Sequence, residues 1–431
     1  MTQSKPSTQQ VRALYEEQPY PPRKPDDESR RLIETVGDDL DLISHYGFAG
    51  KARYDQDFRV LVAGGGTGDA LIYLAEQLRH SAAQLVYVDI SRKSMAVARQ
   101  RAKIRGLDNI QWLHHSLMEL EQLRLEPFDY INCCGVLHHL PDPARGLTQL
   151  RAALKPRALM FLMVYGQAAR EPVYQMQELL RRLTPRQMPL QLRIEQALKV
   201  LESLPDSNLF KQTFDHWQHD IQTYGAAGLA DLLLHPQDRA YSIAQVHELL
   251  DASELSLLEF VGDGWLGPVG YEPAMLVEDP QLQQQMAALP TRERHAVAEL
   301  LHCQHIKHQF YAGQGHDQVA TLRDSTAVPV LTGMLRGQAA ALAAKLAAGE
   351  PVSLSCESPG MRLQVEVPAT ALNSQLFAAV HAGLNLRQIH ERLQASGCGD
   401  DYAAMIKALR PLYTDLNRAG WMMLSDRATN C

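Results

Sequence analysis

Cysteine is sparse in this sequence and is never paired. Six cysteines (Cys133, Cys134, Cys303, Cys356, Cys398 and Cys431) are spread over 431 residues, with no C-x-x-C spacing. That pattern suggests neither a zinc site nor a disulfide framework, and it fits a reducing compartment. No metal is expected. Long apolar runs are missing too: none reaches the roughly 18 residues of a membrane-spanning helix. The polar start from Met1 to Gln10 lacks the apolar centre of a secretion signal. A cytoplasmic location without a membrane partner is therefore expected. Basic charge is not in excess. The formal net charge is −7, which argues against bulk binding to nucleic acid or to anionic lipid. There is no internal repeat and no long low-complexity tract. With 45% hydrophobic and 21% charged residues, the chain can bury large cores. Its length fits two or three domains of about 100–200 residues each.

The most informative stretch is Val60-Leu61-Val62-Ala63-Gly64-Gly65-Gly66-Thr67-Gly68-Asp69. Four apolar residues run into a glycine turn, and a helix-like run from Ala70 to Leu78 follows. Such a turn lets backbone N–H groups and a helix N-terminus come close to a ligand. A second apolar run, Leu85 to Val88, ends in Asp89, an acid placed to take two ribose hydroxyls. Strand candidates at 59–63, 85–89, 110–113, 128–134 and 158–164 alternate with helical candidates at 68–79, 92–105 and 144–154. This alternation predicts an α/β fold with a doubly wound parallel sheet and a ligand beyond the carboxyl ends of its strands. A dinucleotide fingerprint would need a small residue where Asp69 stands, and a carboxylate there repels a pyrophosphate. The spacing present is Gly64-x-Gly66-x-Gly68.

That spacing resembles motif I of the class I S-adenosylmethionine-dependent methyltransferases. The likeness continues in order. Val86-Tyr87-Val88-Asp89-Ile90-Ser91 looks like the ribose-binding motif. Phe128-Asp129-Tyr130-Ile131-Asn132-Cys133-Cys134-Gly135-Val136-Leu137-His138-His139-Leu140-Pro141-Asp142-Pro143 looks like the fourth-strand motif, and Leu147 to Pro156 like the helix and turn before the fifth strand. The resemblance implies S-adenosyl-L-methionine as cofactor. Gly64, Gly66 and Gly68 would approach its methionine part, Asp89 its ribose, Ser116 and Leu117 its adenine, and Cys134 its sulfonium. Two acids customary in the family are absent, at Val62 and at Ser116, and Asp69 or the N-terminal segment is a candidate to supply that polarity. The Asn-Cys-Cys-Gly strand end differs from the Asn/Asp-Pro-Pro-Tyr/Phe pattern that grips planar amides and amines. His138 and His139 are candidate bases. Cys133 and Cys134 read better as small buried thiols than as nucleophiles.

Outside this core, Tyr15 to Arg23 alternates aromatic, proline and charged residues and reads as a strap that brings Tyr20 over the cofactor; residues 1–10 read as a disordered tail. A helical insertion is expected at about 170–250. Tyr165 and the cluster His235, Asp238, Arg239 and Tyr241 are candidate substrate contacts on a lid. The expected division is an N-terminal segment (1–45), the core with its insertion (46–275), a helical linker (276–325) and a C-terminal winged-helix-like domain (326–431). Residues 371–431 carry six Lys/Arg and five acids, a poor footprint for nucleic acid, so packing or protein recognition is the better expectation. The strap Tyr15–Arg23, the fifth-strand exit at Tyr165 and the His235–Tyr241 loop resemble a bacterial subgroup in which a class I core carries a helical insertion and an extra C-terminal domain, and some members methylate protein lysines. The implied acceptor is a protein side-chain amine, with a small metabolite as the alternative. Readings of other classes are a non-catalytic S-adenosylmethionine sensor and a nicotinamide oxidoreductase. Oligomeric state has no signature in the sequence.

Overall fold

A computed structural model describes residues 8–262, 267–315, 318–358, 361–397 and 401–426. Of the expected N-terminal tail, residues 1–7 lie outside these, and 8–10 open a helix that runs to Glu17.

The central sheet has eight strands: β1 (Arg59–Ala63), β2 (Gln84–Asp89), β3 (Ile110–His114), β4 (Phe128–Cys134), β5 (Leu154–Gly166), β6 (Ala240–Tyr241), β7 (Ser256–Phe260) and β8 (Lys307–Gly313). Their order is β3-β2-β1-β4-β5-β8-β7, with β6 on the end of β5. β1 to β5 are parallel, while β8 runs antiparallel to both neighbours. Val60 to Ala63 are at most 1% exposed, as expected of a parallel strand covered on both faces. The chain steps outward from β1 to β3 and then returns to β4. That reversal opens a crevice at the carboxyl ends of β1 and β4.

β8 corrects the expected linker. The linker expected over 276–325 is helical in part, yet the helix Thr291–His302 ends at Cys303, and 307–313 form a strand inside the main sheet. Phe310 and Ala312 pack in the sheet core, so the α/β body extends past residue 275. The strand carries no two-residue alternation to mark it, since its last four residues, Phe310 to Gly313, are all buried.

The insertion is helical as expected, with helices Gln167–Leu183, Leu190–Glu202, Leu209–Gln212 and Gln218–Leu233. Val173, Met176, Ile194, Phe210, Trp217 and Leu229 form its core, and Leu14 of the N-terminal helix joins them. The strap is thus anchored in the insertion. The C-terminal part builds a separate core. Strand β9 (Pro329–Leu331) pairs with the last strand, β12 (Met422–Leu424); between them lie helix Ala339–Ala347, the hairpin β10 (Val352–Ser358) and β11 (Met361–Val367), and three helices at 371–381, 386–395 and 402–418. The hairpin precedes this helical run. Arg336 pairs with Asp39 and Asp41, and the Leu424 N–H donates to His45 Nδ1 at 3.0 Å, which ties this part to the segment before β1.

Burial holds several histidines neutral. It lowers His45 and His295 to about 4 and His305 to about 3, and pushes His138 and His235 far below the ordinary value. Unfolding returns these rings to about 6.5. Their contribution is complete above that pH and is lost as pH falls toward the folded values. Burial also raises six carboxyls, Asp38 to about 6 and Glu259 to about 7 and, in the same direction, Asp89, Asp220, Asp231 and Asp426, and these act in the opposite sense. The five histidines are all moved far, and they outnumber the two carboxyls moved furthest, Asp38 and Glu259. Each excess proton taken up on unfolding costs about 1.4 kcal/mol per pH unit. Denaturant titrations should therefore show stability falling from pH 6.5 to 4.5. A flat or rising profile would contradict the assignment.

Candidate active site

A cavity of about 640 Å³ occupies the crevice, within the roughly 300–1,000 Å³ typical of ligand sites. Its floor is the glycine turn after β1 and the ends of β2, β4 and β5. The strap and the insertion form its roof.

The turn needs its glycines. Gly64 and Gly66 have φ of +71° and +52°. A Cβ on Gly64 would lie 2.4 Å from Val136 Cγ2, and one on Gly66 would lie 2.9 Å from the Tyr20 carbonyl oxygen. The turn is therefore packed on both sides, and its backbone forms the cavity floor. Asp89 ends β2 with its carboxylate fixed by two N–H donors, Gly66 at 2.8 Å and Ser91 at 2.7 Å. Each oxygen keeps a lone pair for a ligand hydroxyl. Burial raises the Asp89 pKa, and these N–H groups pull it back down.

The cavity wall includes Gly64, Gly66, Asp89, Ser116, Leu117, Cys134, Tyr20, His139 and Tyr165. The structure brings these sequence-selected residues together. Gly68 sits one layer behind, as the left-handed N-cap of helix Asp69–Gln77. His138 does not reach the wall: its ring is buried and stacks on Tyr165 at 3.9 Å, with neither nitrogen hydrogen-bonded among the described residues. That corrects its candidacy as a base. His235 stands behind His139, the ring centroids 3.8 Å apart. Asp238, Arg239 and Tyr241 are also off the wall: Asp238 and Tyr241 turn inward, away from the cavity, and Arg239 is exposed. Asp238 accepts from Gln177 at 2.8 Å and pairs with Arg170 at 3.3 Å. Arg239 lies over the Tyr241 ring at 4.9 Å, and Tyr241 packs in the sheet core. Cys134 is pushed up to about 12 by burial, and Cys133 is raised likewise, so neither thiol is poised to ionise.

Several wall residues had no signal in the motif region. Asp38 precedes β1 by twenty residues. Its Oδ1 accepts from Tyr130 Oη and Asn132 Nδ2, each at 2.8 Å, and its Oδ2 from Thr35 at 2.7 Å. It puts a carboxylate in the crevice where β1 itself offers Val62. Tyr15, Asp220, Tyr224 and Asp231 come from the strap and from helix Gln218–Leu233. The strap hydroxyls reach across: Tyr15 donates to Asp231 at 2.9 Å and Tyr20 to Asp220 at 3.2 Å. Asp69 is on the wall but is already paired, with Arg23 at 2.7 Å and Arg101 at 2.6 Å. Its role here is to staple the strap to the glycine turn. Thr67 completes that joint by donating to the Pro21 carbonyl at 2.7 Å.

Six carboxylates (Glu34, Asp38, Asp69, Asp89, Asp220 and Asp231) and two cationic side chains (Arg170 and Lys307) line the cavity. Arg170 is neutralised by Asp238. The lining therefore favours positively charged ligands.

The comparisons agree with this geometry. A methyltransferase domain family matches residues 61–160. An uncharacterized Synechococcus protein is 31% identical over 313 residues, covering 71% of this chain and 72% of that protein. The tRNA 5-carboxymethoxyuridine methyltransferase of Escherichia coli is 33% identical over 112 residues, which cover 26% of this chain and 41% of the relative. The fold of PKMT2 from Rickettsia typhi superposes with a TM-score of 0.61 at 13% identity, over 92% of this chain and 77% of that one; the same protein is known with bound AdoHcy. No described helix is long and apolar enough to cross a membrane. The glycine turn pressed against the strap, the acid ending β2 and the acidic crevice all suit an adenosyl sulfonium, and with the matched domain they place the chain in the class I S-adenosylmethionine-dependent methyltransferases.

Proposed function

We propose that this protein methylates an amine on a protein side chain. The carrying observation is the wall facing the glycine turn. Tyr15, Tyr20, Tyr165 and Tyr224 there surround two carboxylates, Asp220 and Asp231. The carboxylates attract an alkylammonium by charge, beside the rings of Tyr15 and Tyr20, while the faces of Tyr165 and Tyr224 already meet Arg170 and Arg23. Planar amide acceptors are not favoured, because the strand end is Asn-Cys-Cys-Gly.

S-adenosylmethionine supplies an already activated methyl group, so the protein's task is alignment and exclusion of water. We assign the ribose to Asp89, the methionine part to Gly64, Gly66 and the Asp38 neighbourhood, the adenine to Ser116 and Leu117, and the sulfonium side to Cys134. The strap closes over these groups through Tyr20. The likeness in fold to PKMT2 over most of both chains supports a protein acceptor. The C-terminal unit, read as winged-helix-like and balanced in charge, would then contact protein.

The second reading is a small-molecule acceptor. It draws on relatives named as ubiquinone biosynthesis O-methyltransferases, such as that of Haemophilus ducreyi, 31% identical over 111 residues that cover 44% of it. Methyl-labelled S-adenosylmethionine incubated with lysate from a strain lacking the protein separates the two. Label is expected in protein and should be recovered as a methylated amine after acid hydrolysis. Label confined to small molecules would overturn the amine reading in favour of a metabolite, and label in RNA would point to a nucleic acid acceptor.

A further inference from the structure

We propose that His139, Asp231 and His235 form the proton-accepting site for the methyl acceptor, with His139 Nε2 as the base; this rests on the amine reading above. His139 lies in the turn after β4, Asp231 in helix Gln218–Leu233, and His235 two residues past that helix's end. All three are buried. Each offers a nitrogen or oxygen within 4.8 Å of those of the other two. His139 and Asp231 face the same cavity as the glycine turn.

One residue sets both imidazole tautomers. The Gln237 carbonyl lies 2.8 Å from His139 Nδ1, and a carbonyl can only accept, so that nitrogen carries the hydrogen. The Gln237 N–H lies 3.1 Å from His235 Nδ1 and can only donate, so that nitrogen keeps its lone pair. In the neutral rings His139 is therefore left with a basic Nε2. His235 is left with an Nε2–H that has no hydrogen-bond partner among the described residues.

Two histidines and a carboxylate could also hold a divalent metal. The tautomers oppose it. A metal needs a lone pair from every ligand. His235 can present one at Nε2 only by moving its hydrogen to Nδ1, against the Gln237 N–H. The group is arranged to handle a proton.

Asp231 provides the charge. Tyr15 and Tyr165 donate to its two oxygens at 2.9 and 3.3 Å, which holds the carboxylate beside His139. An ammonium drawn to Asp231 meets His139 Nε2, passes one proton to it and exposes its lone pair. The resulting imidazolium is stabilised by Asp231. The nitrogen then bonds to the methyl carbon, the carbon–sulfur bond breaks with its electron pair left on sulfur, and the methylated ammonium keeps one positive charge. The proton on His139 leaves to solvent. His138 cannot take this part, since its ring does not line the cavity.

Nitrogen-15 NMR of labelled histidines in the free protein tests the arrangement without turnover, with His139→Gln and His235→Gln used to assign the signals. Hydrogen on Nδ1 of His139 and on Nε2 of His235 is the expected result. Hydrogen on Nε2 of His139, or perturbation of both rings by one equivalent of Zn²⁺, would overturn the proposal. In the lysate protein fraction that the wild type labels, His139→Ala should lose roughly 10²–10⁴-fold in rate. Its affinity for S-adenosylmethionine should stay within a few-fold, which verifies folding, and added imidazole should restore part of the rate. Full activity in His139→Ala sinks the base assignment alone. A wild type that labels no protein sinks the amine reading, and the NMR result still decides the tautomers.

Discussion

Asp89→Ala is expected to weaken S-adenosylmethionine binding by about two to four orders of magnitude while changing fold stability little. The carboxylate is the group assigned to the ribose hydroxyls, and a hydrogen bond to a charged partner contributes about 1.5–3 kcal/mol. Two such bonds give about 3–6 kcal/mol, or roughly 10²–10⁴-fold in affinity. A second effect adds to this. Asp89 also accepts from Gly66 and Ser91, so its loss loosens the glycine turn and the start of the next helix. Stability is less affected because the free protein holds a carboxylate whose ionised form is disfavoured by burial. Removing it relieves that cost and offsets the two lost acceptor bonds. Asp89→Asn should be nearly as damaging. Its amide can accept from one of the two N–H groups but turns its own donors toward the other. Calorimetric titration with S-adenosylmethionine measures the affinity, and denaturant unfolding measures the stability. An Asp89→Ala affinity within five-fold of wild type would move the ribose elsewhere.

The parts of the site legible in the sequence are those built from contiguous residues. The glycine turn, Asp89 and the β4 end each follow a strand within a few positions, so strand position and turn chemistry locate them. The same locality explains why β1 to β4 match their expected spans closely, while β5 runs past its expected span at both ends. The rest of the cavity is assembled across the chain. Asp231 lies 216 residues from Tyr15, which donates to it, and Asp220 lies 200 residues from Tyr20. No periodicity encodes such a contact. The His235–Tyr241 segment shows the converse error. It is dense in charged and aromatic residues, as a ligand loop is, but Asp238 serves as the counter-ion of a buried arginine. Residue type alone does not separate a buried ion pair from an open site. Asp69 shows it again: the likeness in motif suggests polarity offered to the cofactor, whereas Arg23 and Arg101 already occupy the carboxylate. The strap itself was visible as an aromatic and proline-rich segment. Its attachment was not, because that depends on Glu28, an acid in a run of three with nothing to mark it.

Glu28→Ala is therefore expected to be among the most destabilising substitutions of a charged residue, at about 3–5 kcal/mol. Glu28 lies in the short turn Pro25–Ser29 against helix Arg92–Arg105, with its side chain 3% exposed. Arg101 Nε donates to it at 2.7 Å, and Arg105 pairs with its other oxygen. The Arg101 side chain is 1% exposed, so its charge cannot turn to water when the partner is lost. Removing one member of a buried pair costs more than the pair contributes, because the remaining charge stays desolvated. Arg101 does keep Asp69 at 2.6 Å and the Thr67 carbonyl at 2.8 Å, which places the expected cost toward the lower end of that range. Glu28→Gln retains an acceptor for Nε and should cost clearly less. The exposed pair Arg53–Asp55 is the control, and its removal should leave stability unchanged. Unfolding followed by tryptophan fluorescence gives the ranking, and a Glu28→Ala loss below about 1 kcal/mol would mean that the pair is not buried in solution. The damage should also reach the cofactor. Glu28 holds Arg101, Arg101 holds Asp69, and Asp69 holds Arg23 of the strap, so a chain of ion pairs runs from the N-terminal segment to the first residue after the glycine turn. A weaker hold on S-adenosylmethionine in Glu28→Ala, without any contact between residue 28 and the cavity wall, is the sign that the strap closes the site as one body with the turn.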